Sequence, residues 1–561
     1  MKSLTAGEIF LESLRSHKVE YVFGVVGHTF LGILDAFYDS TDIKFIGCRH
    51  EQSAALMADG YARATGKPGV SLVVGGAGAT NTTTAIAGAY VANSPVIAFC
   101  GGTSLQTRNT SVLQEMDLVS SFKPITKLAT LINKPHRIAE FVNLGFHIAT
   151  QDRKGPVYLE IPQDVSVNRS VAIDDQHFSG ISLLTTKAAD RALISNIKKV
   201  LVSAQRPLLL AGENCTASNA NQKIEELSTL FNIPIVSTYG HNDVVSNDHP
   251  LYIGPLGRAG APEAGDLCKQ ADVLVAIGTK LGHFDTYYDN RYISQDSTLI
   301  QIDLDTTFIN RVFPATYSLT GDINQNISLL LENDMSTVSL EHRNSWIKIA
   351  QSKQVQRLDR LHKETLLSSA PIKPQKVYAE LRKVLPKNTI LSMDAGGCVA
   401  YGYDRLQCYQ PRTFFSSLDL GCIGWGYGIA LGAKIGKPDC PVVSINGDGG
   451  YLFHAREIAT AVQHDIPVVS IVMNNNAWGS EKVYQRDLYQ GRYVGADITN
   501  PRFDKLAKLF GGDGYYIEHP DSIGDTIAKA LASGNPSVIE IPVDPEELPA
   551  SAHSLKPIKK I

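Results

Sequence analysis

The chain carries Gly447-Asp448-Gly449-Gly450 and, 27 positions past that Asp, Asn475 within the run Asn474-Asn475-Asn476. Between them lie an apolar helical stretch, Ile458 to Val462, and a buried-strand run, Pro467 to Met473. The order reads strand, turn, helix, strand, turn. In a parallel sheet, such a crossover returns the second turn to the same sheet edge as the first. Asp448 and Asn475 then face one another as hard oxygen ligands. Such a pair suits Mg²⁺, which takes one or two protein oxygens together with substrate phosphates. The glycines let the backbone come close to a diphosphate. Metal, diphosphate and sheet edge together point to a cofactor enzyme. The plain alternative is an ordinary βαβ unit with an Asp-Gly turn.

The rest of the composition narrows the class. At 561 residues the chain is long enough for about three or four domains. A formal net charge of -4, with scattered basic residues, gives no case for nucleic acid or an anionic membrane as partner. No apolar stretch reaches the length of a membrane span. Met1 to Thr5 runs directly into an amphipathic helical pattern and does not read as a signal peptide. The eight cysteines show neither CxxC nor a His/Cys metal spacing. Dispersed in apolar surroundings, they read as buried free thiols of a reducing, cytoplasmic compartment.

Three blocks alternate helical periods with short β-branched runs. The first contains Tyr21–Val26, Val70–Val74 and Pro95–Phe99 and closes with Val157–Pro162. A polar stretch, Asp174 to Lys187, reads as a linker. The second contains Pro207–Gly212, Val273–Gly278 and Leu299–Asp303. A charged helical connector, roughly 340 to 370, leads through Pro371 and Pro374 into the third, which ends in Ser537–Pro542. That ending echoes Val157–Pro162 and predicts that the first and third blocks share a fold. Alternating β and α with Gly-rich turns predicts parallel sheets covered by helices.

Cys48-Arg49-His50-Glu51 places a carboxylate at the start of a helix that continues through Met57, Ala58 and Tyr61. Taken alone, Glu51 reads as a carboxylate favoured by the helix dipole. Together with Ala58-Asp59-Gly60-Tyr61-Ala62-Arg63 and the Gly-Asp-Gly to Asn-Asn signature, however, it resembles the thiamine diphosphate (ThDP) enzymes. The resemblance runs through nearly the whole chain and is to the acetolactate synthase branch. It implies an α/β fold of three doubly wound parallel-sheet domains: pyrimidine-binding (1–173), central (188–335) and diphosphate-binding (373–545).

The resemblance also implies roles. Glu51 would hydrogen-bond the aminopyrimidine, favouring the tautomer whose nitrogen takes the C2 proton of the thiazolium. Gly421-Cys422-Ile423-Gly424-Trp425-Gly426 matches the loop whose bulky apolar residue, here Ile423, props the cofactor into a V. Gly421, Gly447, Asp448, Gly449, Gly450, Asn475, Gly396 and Trp478 would complete the cofactor site, with Asp448, Asn475 and Ala477 holding Mg²⁺. Gly75-Gly76-Ala77-Gly78-Ala79-Thr80-Asn81 matches a glycine-rich turn, and Gln114 would face the reacting carbons. In this family the two cofactor-binding domains come from different subunits. That implies a homodimer or homotetramer with active sites at the subunit interface. Some members bind FAD in the central domain. Leu256–Gly260, Gly278-Thr279-Lys280 and Gln301–Asp305 lie near where FAD would sit.

The chain departs from acetolactate synthase around the substrate. After Met393-Asp394-Ala395-Gly396 it has Gly397-Cys398, where that enzyme has Gln-His. Lys482 and Tyr484 replace the Arg and Trp that help select the second oxo acid. Trp478-Gly479-Ser480-Glu481-Lys482 resembles sulfoacetaldehyde acetyltransferase. Gly27-His28-Thr29 resembles relatives that cleave cyclic diketones, and His28 there could act as acid or base. The expected activity is that of a decarboxylating carboligase acting on a 2-oxo acid such as pyruvate. The alternatives are a sulfoacetaldehyde acetyltransferase-like enzyme and a diketone-cleaving lyase. A nicotinamide- or flavin-dependent oxidoreductase would need a dinucleotide fingerprint that the chain lacks. A non-catalytic homologue would have no need of Glu51, Ile423, Asp448 and Asn475 together.

Overall fold

The computed structural model describes residues 2–173, 178, 190–332, 339–417 and 420–547. The expected linker, Asp174 to Lys187, lies outside the described residues except for Phe178. Three six-stranded sheets form the three domains, and every strand pairing within them is parallel. In spatial order the first sheet comprises Lys44–Gly47, Tyr21–Gly24, Gly69–Val74, Val96–Gly102, Val157–Pro162 and Leu128–Leu131. The third comprises Phe414–Ser416, Ile390–Met393, Val442–Gly447, Val469–Asn474, Ser537–Pro542 and Asp513–Tyr516. Numbered along the chain within each sheet, both run 2-1-3-4-6-5. Val157–Pro162 and Ser537–Pro542 occupy the same place in the two sheets, so their echo reflects a shared topology. Their inner strands Gly69–Val74, Val96–Gly102, Val157–Pro162 and Val469–Asn474 are buried throughout, which is why they read as unbroken apolar runs.

The central sheet differs. Tyr252–Pro255, Ile235–Ser237, Pro207–Ala211, Val273–Ile277, Thr298–Asp303 and Tyr317–Thr320 give the order 3-2-1-4-5-6. The charged connector is the helix Asn344–Lys363. It is fastened to the central sheet by Trp346, whose indole N–H donates to the Pro207 carbonyl at 2.8 Å. Arg357 fastens it to the third domain through the buried carboxylate of Asp404 at 2.8 Å.

The first and third domains meet along two helices, Glu51–Thr65 and Trp425–Gly436. Glycines set how closely they approach. A Cβ on Gly60 would fall 2.1 Å from the Ile429 carbonyl oxygen, and one on Gly432 would fall 1.9 Å from that of Met57. At the same seam Arg63 pairs with buried Asp59 at 2.8 Å and covers the Trp425 ring. The Ala-Asp-Gly-Tyr-Ala-Arg run thus serves the contact between domains. All eight cysteines are free thiols, six of them buried. Among the described residues no helix is long and apolar enough to cross a membrane.

Candidate active site

Val442–Gly447 and Val469–Asn474 are neighbouring parallel strands, with Gly447 paired to Met473. Their carboxyl ends therefore leave the sheet side by side. Asp448 opens the helix Asp448–His454, and its carboxylate is buried. One atom of the Asn475 amide lies 3.3 Å from Asp448 Oδ1 and 3.1 Å from the Ala477 carbonyl oxygen. With nitrogen in that position the contacts are hydrogen bonds. With oxygen there, three acceptors converge with no donor between them, which is the donor set of a hard cation. Burial pushes the Asp448 carboxyl up to about 6, against the opposing N–H groups of Gly449 and Asn500. A bound cation would reverse that shift. Among the described residues no cluster of three His, Cys, Asp or Glu side chains offers a rival metal site.

Asn500 escapes a motif search. The segment Ala496–Asn500 folds back along Asn476–Trp478, joined by Trp478 N–H to Ala496 O at 2.7 Å and Ile498 N–H to Asn476 O at 2.9 Å. This return brings the Asn500 amide within 2.8 Å of Asp448 Oδ2. Asn474, by contrast, turns its amide to Glu540 at 2.9 Å. Within the Asn run it is therefore Asn475 that faces Asp448.

A cleft of about 840 Å³ opens over these groups, between the third and central domains. Gly396, Gly421, Ile423, Gly447–Gly450, Asn475, Ala477 and Trp478 all line it. Ile423 is half-buried, between Gly421 at φ +76° and Gly424 at φ +77°, so it projects from a loop rather than from the core. Asp394 fixes that loop by accepting from the backbone N–H groups of Gly424 at 3.0 Å and Trp425 at 3.1 Å. Nothing lies within 4 Å of a Cβ placed on Gly447 or Gly421, so the backbone there faces open cleft. A Cβ on Gly449 would instead meet the Trp478 ring at 2.5 Å. Cys398 also lines the cleft, where burial pushes its thiol up to about 12 and so disfavours the thiolate.

Glu51, His28 and Gln114 sit elsewhere in the chain, at the carboxyl edge of the first sheet, and do not line the cleft. Glu51 is the first residue of its helix, and the His50 ring caps that helix by accepting from Gln52 N–H at 3.1 Å. The Glu51 carboxylate receives the Asn81 amide at 3.0 Å and packs on Gly78. The turn of residues 75–81 is therefore its supporting wall. Gln114 adopts φ +66° against Gly76, and its buried Oε1 has no partner among the described residues. His28 is exposed and starts the turn His28–Phe30.

Two expectations about the cleft need correction. Lys482 does not reach it. The side chain is buried and pairs with Asp497 at 2.9 Å and Glu546 at 3.7 Å, leaving Tyr484 on the cleft wall. Leu256–Gly260, expected beside a central-domain nucleotide, instead presents Arg258, Ala259 and Gly260 to this same cleft.

In the central sheet the crossovers change direction between Pro207–Ala211 and Val273–Ile277, the place where such a sheet holds a dinucleotide. A separate cleft of about 310 Å³ near the Glu213 end of the first of these strands is lined by Glu213, Lys280 and Asp285. Glu213 occupies the first position of the helix Glu213–Ala217. Its neighbour Asn214 donates to Asp303 Oδ1 at 3.0 Å. Burial, reinforced by the Glu213 charge, pushes both Asp285 and Asp303 up to about 7.

Three family profiles match the chain in order. They are described as the thiamine pyrophosphate enzyme N-terminal TPP binding domain (residues 4–121), central domain (194–330) and C-terminal TPP binding domain (394–541). A probable acetolactate synthase large subunit of Methanocaldococcus jannaschii is 33% identical, over 97% of this chain and 93% of its own. A sulfoacetaldehyde acetyltransferase of Alcaligenes xylosoxydans xylosoxydans is 30% identical, over 96% and 93%. The acetolactate synthase isozyme 3 large subunit of Escherichia coli is 30% identical, over 95% and 93%.

Proposed function

The chain belongs to the thiamine pyrophosphate enzymes, in their acetolactate synthase-like branch, and from that premise we propose a Mg²⁺-dependent carboligase that decarboxylates a 2-oxo acid such as pyruvate. The observation that carries this reading is the convergence of Asp448, Asn475 and the Ala477 carbonyl in one cleft with Ile423. When bound, ThDP supplies a thiazolium carbon that adds to a carbonyl and accepts the electron pair left by C–C cleavage.

The chain's own residues do the rest. Asp448, Asn475 and Ala477 would hold Mg²⁺, and the open backbone at Gly447 would admit the diphosphate. Ile423, fixed through Asp394, would support the cofactor. Glu51, steadied by Asn81, would hydrogen-bond the aminopyrimidine and hold its proton. His28 exchanges a proton with the substrate oxygen, and Gln114 orients the reacting carbons.

Glu51 does not line the cleft that holds Asp448, which supports a site shared between two copies. Exposed apolar side chains flank both surfaces: Val26, Leu31, Leu113 and Met116 near Glu51, and Leu452 and Phe453 near Asp448. A homodimer or homotetramer would bury them. We read the domains as 1–173, 188–335 and 373–545 and assign the protein to the cytoplasm, where free thiols persist. For FAD the fit is poor. Its diphosphate would meet Glu213 at the helix start and the Asp303 carboxyl behind it.

A second reading, a sulfite-releasing acetyltransferase, is favoured by the Trp478 to Lys482 motif, whose Trp forms part of the cleft wall. One assay separates the two. Protein saturated with ThDP and Mg²⁺ is given pyruvate, or sulfoacetaldehyde with phosphate. Rapid release of carbon dioxide supports the first reading, and sulfite the second. Glu51→Gln should cut either rate on the order of a hundredfold or more. Near-normal turnover would remove Glu51 from the mechanism.

A further inference from the structure

Three arginines line the large cleft: Arg258, Arg360 and Arg405. Two of them are neutralised. Arg360 pairs with Glu263 at 2.8 Å and Asp404 at 2.7 Å, and Arg405 pairs with Glu364 at 2.6 Å. Arg258 has no carboxylate partner among the described residues. Its guanidinium instead lies over two rings, Phe284 and Tyr484, each 5.7 Å away. One ring comes from the central domain and the other from the third, so the cation spans the two walls of the cleft. Its backbone is held as well. Gly257 turns at φ +112°, where a Cβ would strike the Phe284 carbonyl at 2.5 Å, and the Arg258 N–H donates to that same carbonyl at 2.9 Å. The carboxylates on the cleft wall are Asp448, Asp404, already paired, and Glu481 on the outer rim.

A guanidinium that lies over aromatic rings and has no carboxylate partner keeps N–H groups for a planar or tetrahedral oxyanion. We propose that Arg258 is the specificity-determining residue of this site and grips a substrate oxyanion that keeps its charge through turnover: the carboxylate of an acceptor 2-oxo acid, or a sulfonate. This deepens, and rests on, the ThDP carboligase reading. The donor's own carboxylate is a poor fit. It departs as neutral carbon dioxide, leaving its electron pair behind, and a cation bound to it would stabilise the ground state more than the transition state.

The test compares wild type with Arg258→Met and Arg258→Lys, all loaded with ThDP and Mg²⁺ and checked for equal melting temperature. With pyruvate as donor, kcat/KM is measured for a 2-oxo acid acceptor and for neutral acetaldehyde. Arg258→Met should shift the ratio toward acetaldehyde roughly ten- to a hundredfold, chiefly through acceptor KM, and Arg258→Lys should restore part of it. With sulfoacetaldehyde and phosphate the same loss should appear in sulfite release. That arm distinguishes a sulfonate from a carboxylate. An unchanged ratio and unchanged sulfite release overturn the assignment. If wild type turns over neither donor, the carboligase reading falls. Calorimetric titration with pyruvate and with isethionate, an unreactive sulfonate, then decides Arg258 alone. Binding at least tenfold weaker in Arg258→Met supports it, and equal binding or none in wild type overturns it.

Discussion

The hydroxyl of Ser53 lies 2.8 Å from Nδ1 of His454, joining the first domain to the third across their seam. His454 is buried, and its Nε2 has no partner among the described residues. Burial, aided by His50 and Arg456, lowers its pKa to about 3. Between about pH 3 and the ordinary value of 6.5 the unfolded chain therefore takes up a proton that the folded chain refuses. Stability is lost as pH falls through that window, at no more than about 1.4 kcal/mol per pH unit from this group. The buried carboxyls of Asp285, Asp303 and Asp394, each pushed up to about 7, act in the opposite sense between pH 4 and 7. The comparison must therefore be between two proteins. Melting temperature from pH 7 to pH 5 should fall more steeply in wild type than in His454→Gln. Parallel curves would show that His454 does not titrate as its burial requires.

Asp394 offers a test of how the propping loop is held. Its carboxyl accepts from Ala395, Gly424 and Trp425 N–H groups and is itself fully buried. Asp394→Ala orphans these buried donors, at about 1–3 kcal/mol each where water cannot reach them. Ile423 then loses its fixed position. ThDP affinity, followed by fluorescence titration, should fall at least tenfold, with Asp394→Asn intermediate because it keeps one acceptor. Unchanged affinity would mean that the loop is held by other contacts.

Gly449 and Trp478 form a pair that can be tested against each other. A Cβ on Gly449 would lie 2.5–2.9 Å from three atoms of the Trp478 ring, which must then shift off the metal turn. Gly449→Ala should destabilise by about 1–3 kcal/mol and weaken Mg²⁺ binding, while Gly449→Ala with Trp478→Leu should recover much of the loss. Denaturant unfolding and Mg²⁺ titration of the four proteins measure the coupling. Strict additivity would mean that ring and glycine do not meet in solution.

What could be read from the sequence, and what could not, follows from chain separation. Asp448 and Asn475 were legible because a right-handed crossover between adjacent parallel strands fixes where both ends emerge. From its own pattern Glu51 was legible only as a helix-start carboxylate; its expected place in the site came from the family resemblance. The shared topology of the first and third domains showed in one repeated strand, Val157–Pro162 and Ser537–Pro542. Asn500, Asn81, Asp394 and Arg258 were not legible as site residues. Asn81, Asp394 and Arg258 stand in stretches the sequence singled out, but what each one meets (Glu51, the Ile423 loop, Phe284) comes from distant parts of the chain, and Asn500 arrives only by the fold-back of Ala496–Asn500. Lys482 failed for the converse reason. Its place in the motif is right, but Asp497, on the returning segment, captures its charge.

The central domain gives the last prediction. Its strand order is that of a dinucleotide fold, and the resemblance to relatives that carry FAD would place a flavin there. A diphosphate needs free N–H groups and no competing anion at the helix start. Here Glu213 occupies that start and Asp303 stands behind it with one oxygen unpartnered, so a bound diphosphate would add negative charge to a carboxylate pair. Lys280, 3.9 Å from Glu213, and Arg311 also line this cleft, but neither removes the anion from the helix start itself. The purified protein should therefore lack the visible flavin absorption band and retain no FAD after gel filtration. Glu213→Gly should raise FAD affinity measurably, because it removes the nearest anion and opens the turn. A flavin that copurifies with wild type, or equal FAD binding by both proteins, would show that the acidic pair does not set the specificity of this crevice.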